Sequence, residues 1–155
     1  MNKLPLLLLF ILITGCTKEK ITIYNAYVKN TTAHQIKVVP YFSGVIDNSK
    51  ILLLNAGDSI NIGNGFDRGI INHGGFNSVY ISGSDSNIVI FDNTYSITHY
   101  GQTPSSFSIK YYLHTSPRNL RNYLNWYYTA EDPSKNRREA FYLFRFIEQD
   151  YLDAR

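Results

Sequence analysis

The amino-acid sequence predicts an all-β fold, an immunoglobulin-like β-sandwich with a short helical turn at its C-terminus. Short segments rich in β-branched and aromatic residues recur along the chain at spacings of roughly 8 to 15 residues. Clusters of Gly, Asn, Asp and Ser separate these segments, and no long amphipathic helix interrupts them. The 155 residues are enough for one domain with its own core.

The first two thirds of the domain follow this alternation of apolar runs and turns. Pro40 cannot donate a backbone hydrogen bond, so it marks an edge or a bulge in the second strand. Residues 63–77 hold five glycines and little periodicity, which predicts an irregular stretch. The predicted strands lie at residues 21–28, 35–42, 50–54, 59–62, 78–82, 87–91 and 94–98, with turns at 30–32, 43–44, 47–49, 55–58, 83–86 and 92–93.

The last third carries more aromatic residues and leaves one alternative open. Residues 141–147 are apolar at six of seven positions, and this density of apolar and aromatic side chains favours a strand. As a helix, the same region would place Phe141, Phe144 and Tyr151 on one face. Residues 148–154 form the terminal helical turn. Further strands are predicted at residues 107–113 and 123–128, and loops at 102–106, 116–119 and 131–134.

An apolar leader precedes the domain. Lys3 supplies a positive charge, and residues 4–13 form an apolar run that only Pro5 interrupts. A membrane-spanning helix needs about 20 apolar residues, so the run is too short to span a bilayer. It has the length of a secretory signal, roughly 7 to 15 residues. The small residues Thr14 and Gly15 then lead to Cys16, the only cysteine, so no intramolecular disulfide can form.

The tetrapeptide Ile13-Thr14-Gly15-Cys16 resembles the lipobox of bacterial lipoproteins, in which an aliphatic residue and two small residues precede a cysteine. The resemblance implies cleavage before Cys16, a diacylglycerol thioether on its thiol and an acyl chain such as palmitate on its amino group. Three acyl chains exceed the two signals that stable membrane attachment needs. A general signal peptide or an uncleaved anchor are the alternatives.

The residue that follows the cysteine and the predicted fold both extend this resemblance. Thr17 stands where an aspartate would retain an enteric lipoprotein in the inner membrane, so the resemblance implies an outer-membrane location, facing the periplasm or the cell surface. The predicted organisation is a signal peptide at residues 1–15, a lipidated tether at 16–20 and one sandwich domain at 21–155. The whole is similar to small bacterial lipoproteins with an immunoglobulin-like body, many without assigned activity. Such a fold does not imply a function.

Composition and spacing argue against several kinds of chemistry. The net charge of +3 is too small to indicate nucleic-acid binding without a basic cluster. His73-Gly74-Gly75 resembles the oxyanion turn of some lipases, but the Gly-x-Ser-x-Gly elbow that this turn requires is missing from the sequence. We therefore predict no cofactor, no metal site and no catalytic residue. The histidines are too far apart in sequence to indicate a metal site, and lie at His34, His73, His99 and His114.

Aromatic residues are the strongest indication of a binding surface. The chain has 13 Tyr, 9 Phe and one Trp, and Tyr and Trp combine a flat apolar face with a polar group that suits glycan or protein binding. Consecutive aromatic residues in a strand point to opposite faces, so one of each pair is expected in the core and the other at the surface. The alternative is ordinary core packing. The predicted contact residues are Tyr111, Tyr112, Arg121, Trp126, Tyr127 and Tyr128.

These observations predict a lipid-anchored protein of the cell envelope that acts as a non-catalytic binding module. Its partners would be the membrane, through Cys16, and a glycan or an envelope protein. A hydrolase of envelope polymers and a structural subunit of an envelope complex are the alternatives.

Overall fold

The computed structural model describes residues 19–69 and 83–155 as a sandwich of two β-sheets with one short C-terminal helix. The predicted all-β sandwich with a terminal helical turn is therefore confirmed. The elements are β1 (Ile21–Asn30), β2 (Ile36–Phe42), β3 (Val45–Ile46), β4 (Leu52–Leu54), β5 (Ser59–Arg68), β6 (Ser86–Phe91), β7 (Tyr95–Tyr100), β8 (Tyr111–Tyr112), β9 (Tyr127–Ser134), β10 (Arg137–Phe146) and α1 (Glu148–Ala154).

The two sheets differ in how their strands are connected. The first has the order β5-β1-β10-β9, in which β1 is antiparallel to β5 and parallel to β10. The second has the order β3-β2-β6-β7-β8, and β4 also pairs with β2. Because β1 and β10 are parallel, Ile21 lies beside Arg137 at one end of the sandwich and Asn30 beside Phe146 at the other. The helix α1 follows β10 and therefore lies at the end opposite the start of β1.

Alternate residues of both sheets form the core. In β10, Tyr142, Phe144 and Phe146 point inward while the residues between them are more exposed. They share one cluster with residues such as Ile36 and Phe91 of the second sheet. Burial of this apolar surface is the main force that holds the two sheets together.

Pro40 lies inside β2, a strand with partners on both sides. Its carbonyl accepts a hydrogen bond from the amide of Asp47, so its missing N–H faces the β3 side of the strand. On that side β4 pairs with β2 only as far as Val38, and the pairing with β3 begins at Tyr41. The proline therefore lies in a gap between two short partners, where no ladder hydrogen bond is lost.

The irregular stretch predicted for residues 63–77 is wrong over its first part, because β5 continues to Arg68. Gly65 lies opposite Tyr24 of β1, and a Cβ on Gly65 would fall 2.5 Å from the Tyr24 hydroxyl. The tyrosine ring thus covers the glycine and replaces the contacts that a side chain would make. Residues 70–82, including the predicted strand 78–82, lie outside the described residues.

The last third departs from prediction in three places. Residues 131–134 are not a loop but the end of β9, an outer strand whose exposed polar side chains look like a loop in sequence. Of the predicted strand 107–113, only Tyr111–Tyr112 pair with a neighbour. Tyr123–Asn125 form a 3-10 turn before β9 begins at Tyr127. The strand predicted at residues 141–147 is confirmed as part of β10, and the helical alternative is wrong.

Candidate functional site

The edge of the second sheet is only partly covered by β8. This strand pairs with β7 at Thr98 and His99 alone, and the amide of Thr98 donates to the carbonyl of Lys110 at 3.0 Å. Toward its N-terminus, β7 continues to Tyr95 without a partner in the described sheet on this side. An open stretch of strand edge is therefore left beside the β6–β7 turn.

A groove of about 500 Å³ lies along this open edge, which we call the edge groove. Its walls carry hydroxyl groups, an aromatic ring, aliphatic groups and two cationic side chains. This mixture offers hydrogen-bond donors and acceptors together with apolar surface, as ligand pockets do. The lining residues are Thr94, Tyr95, Ser96, Thr98, Ser108, Ile109, Lys110, Ala154 and Arg155.

Both backbone groups and side chains of β7 face the edge groove. In a strand, the peptide groups of residues i and i+2 face the same edge. The amide of Thr98 faces β8, so the N–H and C=O of Ser96 face that same edge, where Ser96 lines the groove. The groove thus presents the donor and acceptor that another extended chain would use for pairing.

An apolar rim borders the edge groove on the side of residues 107–111. Ile109 is 98% exposed, and Phe107 and Tyr111 are both exposed. The rings of Phe107 and Tyr111 stack at 4.7 Å, and Tyr100 contacts both of them edge-on. The Tyr100 hydroxyl accepts from the amide of Ser108 at 2.8 Å, which fixes this bend on the sheet. The rim is therefore ordered apolar surface.

The helix α1 closes the other side of the edge groove with Ala154 and Arg155. Lys110 donates from Nζ to the carbonyl of Ala154 at 3.0 Å across the groove. The Tyr112 hydroxyl donates to Asp153, and burial is the main cause that raises its pKa. These two hydrogen bonds join Lys110, just before β8, and Tyr112, within β8, to the helix. The width of the groove therefore depends on the position of α1.

An ion pair beneath the helix fixes its first turn. Asp150 is fully buried, and Arg118 donates to its carboxylate through Nε at 2.9 Å and through a second nitrogen. The same carboxylate accepts from the amide of Ile147 at 2.8 Å, which caps the helix. A buried carboxylate needs such partners, because an unpaired charge in the interior is costly.

His99 lies in the core behind β8 and is neutral. Its Nδ1 accepts from the amide of Leu120 at 2.9 Å, so the ring proton is on Nε2. Burial, with a smaller contribution from the charge of Arg118, lowers the pKa of His99 to about 3. The ring contacts Tyr112 edge-on and serves as a packing residue between the sheet and the loop that carries Arg118.

The six contact residues predicted from sequence occupy different places. Tyr111 is exposed in the rim, while Tyr112 points inward toward α1. Arg121 donates to Ser84, and Trp126 is only 4% exposed and donates from Nε1 to the carbonyl of Leu120. Tyr127 and Tyr128 belong to β9, in the other sheet. Cys16 lies outside the described residues.

Tyr127 lines a smaller groove of about 240 Å³ on the first sheet. It is 56% exposed, and the guanidinium carbon of Arg145 lies 5.2 Å from the centre of its ring. The predicted alternation therefore holds in both tyrosine pairs, with Tyr111 and Tyr127 the more exposed members. The two exposed tyrosines nevertheless lie on different sheets and do not form one surface.

The rim contains residues that the sequence analysis did not select. Phe107, Ile109 and Tyr111 alternate with Ser108 and Lys110, a period-two pattern that predicts a strand but not whether its apolar face is buried. In the structure all three apolar residues are exposed. No sequence pattern indicated Ser96, because it contributes its backbone N–H and C=O to the edge groove.

Within residues 19–69 and 83–155, no three His, Cys, Asp or Glu side chains are arranged to hold a metal ion. The helices in this part of the chain include none that is long and apolar enough to span a membrane. No protein-family model matches the chain, and comparison with curated proteins and with solved structures found no match.

Proposed function

We propose that this protein is a lipid-anchored module of the cell envelope that binds an extended segment of an envelope partner in the edge groove. The observation that carries the proposal is an open strand edge bordered by the exposed Ile109 and by stacked aromatic rings. Ordered apolar surface of this kind marks interaction sites on soluble domains.

The membrane part of the proposal comes from Cys16 and its lipobox-like context. Four residues separate Cys16 from Ile21, the first residue of β1. An extended chain spans at most about 3.5 Å per residue, so the tether would keep the start of β1 within about 20 Å of the bilayer surface. The outer membrane is the proposed location, because Thr17 follows the cysteine.

The position of the edge groove in the domain supports a partner that lies away from the anchoring membrane. The edge groove lies beside the β6–β7 turn and α1, at the end of the sandwich opposite the start of β1. The ten residues of β1 span about 30 Å. The groove would thus face away from the anchoring bilayer, toward the space where envelope polymers and proteins lie.

A polypeptide is the ligand that the groove fits best. The N–H and C=O of Ser96 can form main-chain hydrogen bonds, and Ile109 and the aromatic rim can contact alternate side chains of an added strand. Strand addition to an open edge uses these two kinds of contact. A glycan could bond to the hydroxyls, the rings and single backbone groups, but it lacks the regular backbone repeat that pairs with a strand edge.

The binding experiment uses the full chain in detergent micelles, applied to an array of extended peptides and to an array of envelope glycans. Ile109→Asp and Ser96→Pro are compared with the native protein. We expect peptide binding that each substitution weakens about tenfold, because burial of one aliphatic side chain stabilises a complex by about 1.5 kcal/mol or more. Proline removes the Ser96 N–H, which does not serve the β6–β7 ladder.

Two matched variants control for general effects. Leu53→Asp places a charge on another exposed apolar residue, in β4, and Ser96→Thr keeps the backbone donor. Both should bind as the native protein does. Absence of binding to peptides, or binding that Ile109→Asp and Ser96→Pro leave unchanged, would reject the proposed site, and binding to glycans alone would reject the peptide as ligand.

A further inference from the structure

His34 lies between two carboxylates that belong to different elements. Its Nδ1 is 2.5 Å from Oδ2 of Asp92 in the β6–β7 turn, and its Nε2 is 3.3 Å from Oε1 of Glu148 in α1. Its ring also stacks on Tyr151 of α1 at 3.6 Å with an interplanar angle of 13°. One imidazole therefore joins the β1–β2 loop, the β6–β7 turn and the helix.

The backbone around His34 is held in place independently of the ring. Its carbonyl accepts from the buried Asn30 side chain at 2.7 Å, and its amide donates to Thr32. Asp92 is positioned in the same way, since its Oδ1 accepts from the amide of Gln35 and its own amide donates to the Gln35 carbonyl. The ring and Asp92 are therefore fixed partners, and α1 meets them through Glu148 and Tyr151.

The two carboxylates require both ring nitrogens to donate. A neutral imidazole carries one N–H, and an imidazolium carries two. In the neutral form the closer contact, to Asp92, would keep the proton on Nδ1. The lone pair of Nε2 would then face Glu148, so the bond to the helix exists only when His34 is protonated.

Loss of that bond would reach the edge groove through the short helix. Tyr151 packs against His34, Phe91 and Tyr95, and three residues later Ala154 begins the wall of the groove. We propose that His34 is a pH-sensitive clamp that holds α1, and with it the Ala154–Arg155 wall of the edge groove, when the imidazole is protonated. Its regulatory meaning rests on the binding function proposed above.

The direction of the pH dependence follows from the partners of the ring. Asp92, Glu148 and Tyr151 are the titratable groups in contact with it. The hydrogen bond to Asp92 is the main cause that raises the pKa of His34 above its ordinary value, and Glu148 adds to it. The stabilisation is therefore fully present below about pH 6.5 and is lost as pH rises through the higher pKa of the folded protein.

Amide hydrogen exchange of α1 tests the clamp without any ligand. The full chain in detergent is compared at pH 5.5 and pH 8, with rates corrected for intrinsic exchange and referred to β1. We expect protection of α1 relative to β1 to fall about two- to fivefold at pH 8, the factor that corresponds to a partly exposed ion pair. In His34→Gln, protection should be low at both pH values.

His114→Gln is the matched control, because His114 is also a histidine but is exposed in the loop after β8. It should retain the pH dependence of the native protein, and Glu148→Gln should reduce it. The clamp is refuted if α1 protection in the native protein is the same at both pH values, or if His34→Gln shows the same change. Because no ligand is used, such a result would not count against the binding function. Conversely, peptide and glycan arrays that yield no ligand would not count against the clamp.

Discussion

Arg118 holds the carboxylate of Asp150, which is fully buried beneath α1, by two charge-assisted hydrogen bonds. It also donates to the carbonyl of Arg145 at 2.8 Å, so one guanidinium joins the loop before β9, the end of β10 and the helix. The pair connects elements far apart in sequence. Its contribution can be measured separately from that of an exposed pair in the same domain.

Arg118→Ala should destabilise the domain by about 3 kcal/mol or more, because it leaves the buried charge of Asp150 without its main partner. Urea unfolding followed by the fluorescence of Trp126 gives the free energy. The matched control is Arg138→Ala, which removes a guanidinium with the same two-bond geometry from the exposed Asp132. Equal losses in both variants would contradict the importance assigned to burial.

Gly65→Ala should destabilise the domain by about 1 to 3 kcal/mol, because the new Cβ would overlap the ring of Tyr24. Thermal unfolding of the single variant, of Tyr24→Leu and of the double variant provides the measurement. A smaller side chain at position 24 leaves room for the alanine. The double variant should therefore lose less than the two single variants together, and simple additivity would count against direct overlap.

His99 should remain neutral at pH 5, with its proton on Nε2, because burial lowers its pKa to about 3. In the unfolded chain the imidazole takes up a proton near pH 6.5, so stability is present above that pH and is lost as pH falls. Between pH 6.5 and pH 4.5 the loss should be about 2 kcal/mol. Ring nitrogen chemical shifts show the tautomer, and an imidazole that titrates near pH 6.5 would refute the assignment.

The contributions of His34 and His99 to stability have opposite signs and change in adjoining pH ranges, since the pKa of His34 is raised and the pKa of His99 is lowered. His34→Gln should therefore keep the acid loss of the native protein below about pH 6.5, and should lack the loss of stability that the native protein shows as pH rises above it. If the two curves are parallel, His34 makes no pH-dependent contribution to stability.

Cys16→Ser should abolish lipid attachment and release the domain from the membrane fraction, because the acyl chains are the proposed anchor. Labelled palmitate and fractionation of expressing cells give the readout. Thr14→Ser is a suitable control, since it keeps a small residue before the cysteine and should leave labelling intact. Palmitate that persists on the serine variant would show that the anchor lies elsewhere.

Local pattern was sufficient for much of the fold. The β-branched and aromatic residues of segments 21–28 and 87–91 predicted β1 and β6, and the apolar density of residues 141–147 predicted β10. These strands are half-buried or buried, so their side chains report directly on the core. The outer strands were harder. The second half of β9 has exposed polar side chains at Glu131 and Asp132, and pairing with β10 is what shows that the strand continues to Ser134.

The candidate site was harder to predict from the sequence than the fold was. Tyr111 and Tyr127 were selected because aromatic pairs in strands divide between core and surface, and both are the exposed members of their pairs. Trp126, selected with them, belongs to the core and donates to the carbonyl of Leu120. Residue type alone does not distinguish an exposed aromatic contact from a buried one.

The sequence by itself determined the all-β class, the short terminal helix and the lipobox-like context of Cys16, because each depends on residues that are neighbours in the chain. Tertiary structure alone decided where the second sheet is left open, which rings stack at its edge and that His34 meets both Asp92 and Glu148. Those residues lie far apart in sequence. Their juxtaposition depends on strand order and on the packing of the two sheets, which no local pattern encodes.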